Sequence, residues 1–180
     1  EAKNIWMGTF HSVFAKILRF ESDKIGYPSN FTIYDTDDSK ALLRRLIKEM
    51  SLDTDIYKVN VVQSRISSFK NNLVTVKAYN SNTELKTQDD AAHRSQMGLL
   101  YDKYVHECFK SGAMDFDDLL LKTNELMFRH PKVLHKYQHR FNYILVDEYQ
   151  DTNHSQYLIV KALASLNENI CVVGDDAQSI

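Results

Sequence analysis

Two apolar runs in this chain end in acids. Tyr143-Ile144-Leu145-Val146 leads into Asp147-Glu148, and Ile170-Cys171-Val172-Val173 leads through Gly174 into Asp175-Asp176. In an open parallel sheet, ligands bind outside the carboxyl ends of the strands, so acids at two such ends mark a ligand edge. A hard divalent cation such as Mg2+ takes oxygen ligands, and a second carboxylate beside it orients or deprotonates an attacking water. Phosphoryl transfer needs both tasks from neighbouring acids. On this reading Asp147 holds the metal, directly or through water, and Glu148 activates the water. The alternative is a merely solvated strand end, which two acids after one apolar run would favour and which two such ends side by side leave level with the ligand reading.

Positioning those acids requires a parallel βαβ unit. The two runs are short, β-branched and continuously apolar, and the helix-length segment around Tyr157 to Leu166 lies between them. At the other end of the chain, Ile5 to Gly8 reads as a strand and Thr9-Phe10-His11-Ser12 as a turn. Phe10, Phe14, Ile17 and Leu18 then share one helical face. Phe31 to Tyr34 is extended, and Asp35, Asp37 and Asp38 suit the N-terminus of a helix that buries Leu43, Leu46, Ile47 and Met50. A further helix is predicted from Lys58 to Lys70, whereas Asn71 to Asp90, polar and weakly periodic, reads as irregular or mobile. Met97, Leu100, Tyr101, Tyr104, Val105 and Cys108 follow helical spacing up to Gly112. Asp115 caps a helix bearing Phe116, Leu119, Leu120 and Met127.

Composition sets the outer limits. The chain has 180 residues, 43% hydrophobic and 26% charged, which is globular, and no apolar run reaches the length of a membrane span. Cys108 and Cys171 stand far apart without a CxxC pattern, which points to a reducing compartment rather than a disulfide or zinc scaffold. A net charge of −2 excludes binding to nucleic acid by bulk charge, so any such contact is local. The first residue is Glu, and the last lies just past an apolar strand; both ends look cut from a longer protein.

The string Ile144-Leu145-Val146-Asp147-Glu148-Tyr149-Gln150-Asp151-Thr152-Asn153 resembles the Walker B motif of UvrD-like superfamily 1 DNA helicases at nearly every position. Three more stretches resemble motifs of that family, in the family's order. They are Trp6-Met7-Gly8-Thr9-Phe10-His11-Ser12, Asp115-Phe116-Asp117-Asp118-Leu119-Leu120, and Val173-Gly174-Asp175-Asp176-Ala177-Gln178-Ser179-Ile180. The resemblance implies an α/β, predominantly helical fold, a partial parallel sheet of the P-loop-NTPase (RecA-like) type with an inserted helical subdomain. It places residues 1–12 and 115–180 in the first RecA-like domain and 13–114 in the insertion.

The resemblance also implies roles. Asp147 would hold Mg2+, Glu148 would be the catalytic base, and Gln178 would sense the γ-phosphate of ATP, with Gln150 and Asp175 as supporting nucleotide-site members. Thr9 and His11 would donate to phosphate oxygens of single-stranded DNA, contacts that set register without reading sequence. Phe116 would offer an aromatic face to a base, or else pack with Leu119 and Leu120 in the core. Asp115, Asp117 and Asp118 would line that site or simply favour a helix N-terminus. The implied partners are single-stranded and duplex DNA, repair proteins and the remainder of a helicase chain, in a cytoplasmic, nucleoid-associated setting with no membrane.

Some features depart from this pattern. Glycines stand at 8, 26, 98, 112 and 174, and none gives the spacing of a P-loop, so the phosphate cradle of the family is not in this sequence. The isolated chain is therefore expected to be inactive, and two other readings stay open: a non-catalytic DNA-binding or protein-interaction module, and the helicase half of a helicase-nuclease. His135 and His139 have i, i+4 spacing but no third ligand nearby, and are read as solvent-exposed. Lys40, Arg44, Arg45 and Lys48 are read as a solvated helix face, with duplex contact as the alternative.

Overall fold

The structure is a computed structural model that describes residues 5–175. Helices dominate it, and four short strands form two parallel pairs. Strand β1 (Thr32–Tyr34) pairs with β2 (Ala113–Asp115), and β3 (Ile144–Val146) pairs with β4 (Ile170–Val172). Helix α10 (His154–Ala164) makes the crossover between β3 and β4, which gives the βαβ unit the apolar runs require. The predominantly helical α/β class expected from the sequence is the one observed.

The helices form where their caps and apolar stripes dictate. Helix α1 (Phe10–Phe20) starts at Thr9, whose hydroxyl accepts from Ser12 N at 3.3 Å, and it buries Phe14, Ala15, Ile17 and Leu18. Helix α2 (Ser22–Ile25) is a single turn ended by Gly26 in the left-handed conformation. Helix α3 (Thr36–Glu49) and helix α8 (Phe116–Arg129) each start with a reciprocal box, Asp35 with Asp38 and Asp115 with Asp118. Helix α4 (Val59–Asn71) buries Val62, Ile66 and Phe69, α7 (Met97–Lys110) buries Leu100, Tyr101 and Tyr104, and α9 (Pro131–Arg140) follows α8 directly.

Two cores result. One gathers Phe14, Ile17, Leu18 and Phe31 with Met114, Leu119, Leu120, Tyr137 and Ile159, so residues 14–31 are packed with 114–163. The other joins Leu43, Leu46, Ile47, Ile66, Phe69, Leu100 and Tyr101, all between positions 43 and 108.

Two expectations are corrected. Residues 71–90 are not irregular: they hold helices α5 (Val76–Ser81) and α6 (Thr83–Ala91), started by Thr75 and Asn82 accepting from Ala78 N and Leu85 N. The polar surface of this stretch hides a buried Tyr79 whose hydroxyl donates to the buried Asp89, itself paired with Arg65 of α4. Residues 5–8 form no strand, because no ladder partner reaches them among the described residues. Trp6 instead packs on Phe20, Tyr137 and Phe141.

Candidate functional site

The acids of the Walker-B-like string sit where the chain leaves β3. The ladder runs one step past the strands, with Val173 N donating to Val146 O at 2.8 Å and Tyr149 N to Val173 O at 2.9 Å. A 3-10 turn (Tyr149–Asp151) then folds the chain back over the end of β4. Asp147 and Glu148 are exposed, and Asp147 Oδ1 accepts from Glu148 N at 3.0 Å.

Glu148 has φ +50° and ψ +43°, a left-handed conformation that costs a residue with a Cβ of order 1–3 kcal/mol. Ser51, Leu73, His93 and Glu168 share positive φ, so this backbone alone does not single it out. What distinguishes Glu148 is its bonding. Its Oε2 accepts from Gln150 Nε2 at 2.6 Å, and the Oε1 of the same Gln150 accepts from Asp175 N at 3.1 Å. One amide thus ties the acid after β3 to the acid after β4. Gly174 makes room for it: a Cβ there would stand 2.9 Å from Gln150 Oε1.

This arrangement fits a weakly caged Mg2+. Among the described residues no group of three or more His, Cys, Asp or Glu could hold a metal. Mg2+ does not need one, because it keeps several waters and binds through one or two carboxylates plus substrate phosphates. Asp147, exposed just after β3, would be a donor of that kind.

The expected DNA-contacting residues meet at a second place. The N-termini of α1 and α8 lie side by side, with the His11 and Phe116 rings edge to face at a centroid distance of 5.6 Å. Thr9 is exposed, and because its hydroxyl oxygen accepts the cap bond, its O–H remains a donor. Phe116 does not follow Leu119 and Leu120 into the core: it is 47% exposed, while each of those is 1%. Burial holds the His11 imidazole below its ordinary value, with the nearby Asp117 carboxylate pulling the other way. His11 is therefore a neutral donor at neutral pH.

The acids around Phe116 do more than cap α8. The last two residues of α4 turn into them: Lys70, fully buried, reaches Asp115 at 2.7 Å and Asp118 at 2.8 Å, and Asn71 Nδ2 donates to Asp117 Oδ1 at 2.8 Å. Tyr104 adds a donation to Asp115 at 2.8 Å. Burial works against the Lys70 ammonium, but Asp118 and Asp115 outweigh it and hold it well above its usual value. Asp115 lies below the usual carboxylate range because Lys70 outweighs burial. Burial and the Asp115 charge push Asp118 up to about 6. Every carboxylate of the motif is thus partnered, Asp115 and Asp118 buried and Asp117 half-buried, and Phe116 is the exposed group among them. Lys70 and Asn71 went unnoticed in the sequence, since nothing local marks a helix end as the partner of residues 45 and 46 positions away.

Of the other sequence candidates, Gln178 lies outside the described residues. His135 and His139 are exposed, with ring centroids 4.0 Å apart. Arg45 is engaged by Glu49 at 3.0 Å and Glu107 at 2.8 Å. No helix among the described residues is long and apolar enough to cross a membrane.

Comparison with known proteins agrees with the motifs. Residues 1–180 match the model of the UvrD/REP helicase N-terminal domain. The ATP-dependent DNA helicase PcrA of Staphylococcus aureus strain COL is 41% identical over 186 aligned positions, covering 100% of this chain and 24% of that protein. PcrA of Staphylococcus epidermidis gives the same identity and the same coverage. The chain thus spans about a quarter of the length of these relatives. With the family model matched from end to end, the chain belongs to the UvrD/REP helicase N-terminal domain family.

Proposed function

We propose that this chain is the water-activating and strand-contacting segment of an ATP-dependent DNA helicase, a protein that couples Mg-ATP hydrolysis to movement on single-stranded DNA and unwinding of duplex. The observation that carries the reading is Gln150, which holds the Glu148 carboxylate at 2.6 Å and the Asp175 backbone at 3.1 Å. A carboxylate fixed through one oxygen keeps the other to take a proton from water, the requirement for a positioned general base. Asp147 would hold Mg2+, and Gln178 the γ-phosphate. Mg2+, when bound, supplies charge neutralisation for the phosphates. The phosphate cradle is assigned to the rest of a longer protein, in keeping with relatives of which this chain covers 24%.

Thr9, His11 and Phe116 would receive the strand, two donors for phosphate oxygens beside one aromatic edge for a base. Such contacts bind single strands with little sequence preference. We infer that the inserted subdomain, expected over 13–114, is centred on the core formed between positions 43 and 108. Action on chromosomal DNA in repair or replication, in the cytoplasm, follows from this reading. The test is ATP turnover and strand separation by the full-length protein that carries the chain, with and without single-stranded DNA. Turnover that rises with single-stranded DNA of any sequence is expected; turnover indifferent to DNA would overturn the reading.

A further inference from the structure

The loop that follows the Gln150 turn and the start of α8 beside Phe116 are joined by two side-chain amides, Asn153 and Asn71. Asn153, two residues past the 3-10 turn that holds Gln150, donates from Nδ2 to Asn71 Oδ1 at 2.9 Å. Asn71 Nδ2 donates to Asp117 Oδ1 at 2.8 Å, and to Ser67 O at 3.0 Å. Asp117 lies beside Phe116 in sequence and acts electrostatically on His11.

Hydrogen-bonding chemistry fixes the direction of this chain. An ionised carboxylate only accepts, so the Asn71 amide must turn its nitrogen to Asp117 and its oxygen outward. Asn153 must then donate to that oxygen, which leaves its own oxygen to accept from Gln156 N at 2.9 Å as the cap of α10. No amide in the row can turn over without breaking a second bond. The three residues come from α4, α8 and the loop before α10, separated by 46 and 82 positions. The row is half-buried, where water competes less for each bond.

We propose that Asn71 and Asn153 are positioning residues that transmit the state of the nucleotide end of the site to the DNA-contacting Phe116 patch. This rests on the helicase reading above. A displacement of the turn around Gln150 moves Asn153, and Asn71 conveys it to Asp117 at the start of α8. Local packing alone is the competing account, because Asn71 also bonds the end of its own helix and Asn153 caps α10.

The experiment separates the two. In the full-length protein, Asn153→Ser keeps a capping oxygen but is too short to reach Asn71, and Asn71→Ala removes the middle of the row. DNA affinity is measured by anisotropy with an unrelated-sequence oligonucleotide, in the presence and absence of Mg2+ and adenylyl imidodiphosphate. The ratio of the two affinities is the coupling, and melting temperature is followed in parallel. Both variants are expected to bring the ratio toward one by about 3- to 30-fold, and Asn153→Ser, which leaves the Asn71–Asp117 bond in place, is expected to keep nucleotide-free DNA affinity within about twofold of wild type. The double variant is expected to do no more than either alone. Wild-type coupling in Asn153→Ser would overturn the inference and leave the helicase reading standing, even where Asn71→Ala fails to fold. A wild-type ratio of one would remove the helicase reading and this inference with it.

Discussion

Lys70→Met tests how the acid-rich start of α8 is held in place. Lys70 is 0% exposed, with Asp115 at 2.7 Å and Asp118 at 2.8 Å, themselves 7% and 3% exposed. Methionine fills similar space but leaves two carboxylates buried together without a cation, and removing one partner of a buried ion pair costs about 3–5 kcal/mol. The cost depends on pH in a direction that can be worked out. Asp118 already stands at about 6, above its unfolded value, so the folded state takes up a proton there and stability declines as pH rises through that region. Without Lys70 the folded value climbs further, and the declining window extends upward past 6. Between 6 and 7.5 one extra proton at ~1.4 kcal/mol per pH unit amounts to about 2 kcal/mol. Urea unfolding followed by circular dichroism should show a loss of about 4 kcal/mol at pH 7.5 and about 2 kcal/mol at pH 5.5. The exposed Lys103→Met serves as control, with a change within about 0.5 kcal/mol. A loss below about 1 kcal/mol at pH 7.5, or an equal loss at both pH values, would refute the reasoning.

Phe116→Ala should weaken single-stranded DNA binding by about 1–3 kcal/mol while leaving the melting temperature nearly unchanged, because the ring is 47% exposed; anisotropy and a thermal melt read both. Gly174→Ala should displace Gln150 from Asp175 and lower ATP turnover by about tenfold or more with a normal circular dichroism spectrum, since a Cβ would lie 2.9 Å from Gln150 Oε1. The isolated chain should show no saturable heat with Mg-ATP in calorimetry. Its DNA binding should be weak and fade with added salt, as a net charge of −2 allows only a local patch to neutralise phosphates.

Local chemistry was legible in the sequence and non-local chemistry was not. Asp35 and Asp115 announce their helices because a capping box closes within four residues. Thr75 and Asn82 start theirs with one half of that pattern, accepting from Ala78 N and Leu85 N without the reciprocal bond, and the polar run between 71 and 90 conceals them. Its one buried acid, Asp89, is made tolerable by Arg65, 24 positions earlier. Ile5 to Gly8 has strand-like composition, but a strand exists only with a partner, and none among the described residues pairs with it. The acids after β3 and β4 could be read directly, since strand ends are where a parallel sheet presents ligands. Their fastening through Gln150 could not, because it depends on the 3-10 turn folding one strand end over the other. Phe116 follows the helical stripe of Leu119 and Leu120 on paper. It stays 47% exposed beside acids that Lys70 and Asn71 hold from a distant helix end, which no local pattern announces.

On the proposed reading Glu148 activates water while Asp147 serves the metal. Gln in place of Glu148 preserves size and an acceptor oxygen but cannot take a proton. The decisive measurement is single-turnover ATP hydrolysis by Glu148→Gln in the full-length protein with single-stranded DNA present, beside equilibrium Mg-ATP binding. Binding is expected within about twofold of wild type and hydrolysis slower by about 10²-fold or more, the scale of a lost general base. Hydrolysis at the wild-type rate would contradict that reading and reduce the acids after β3 to a solvated strand end.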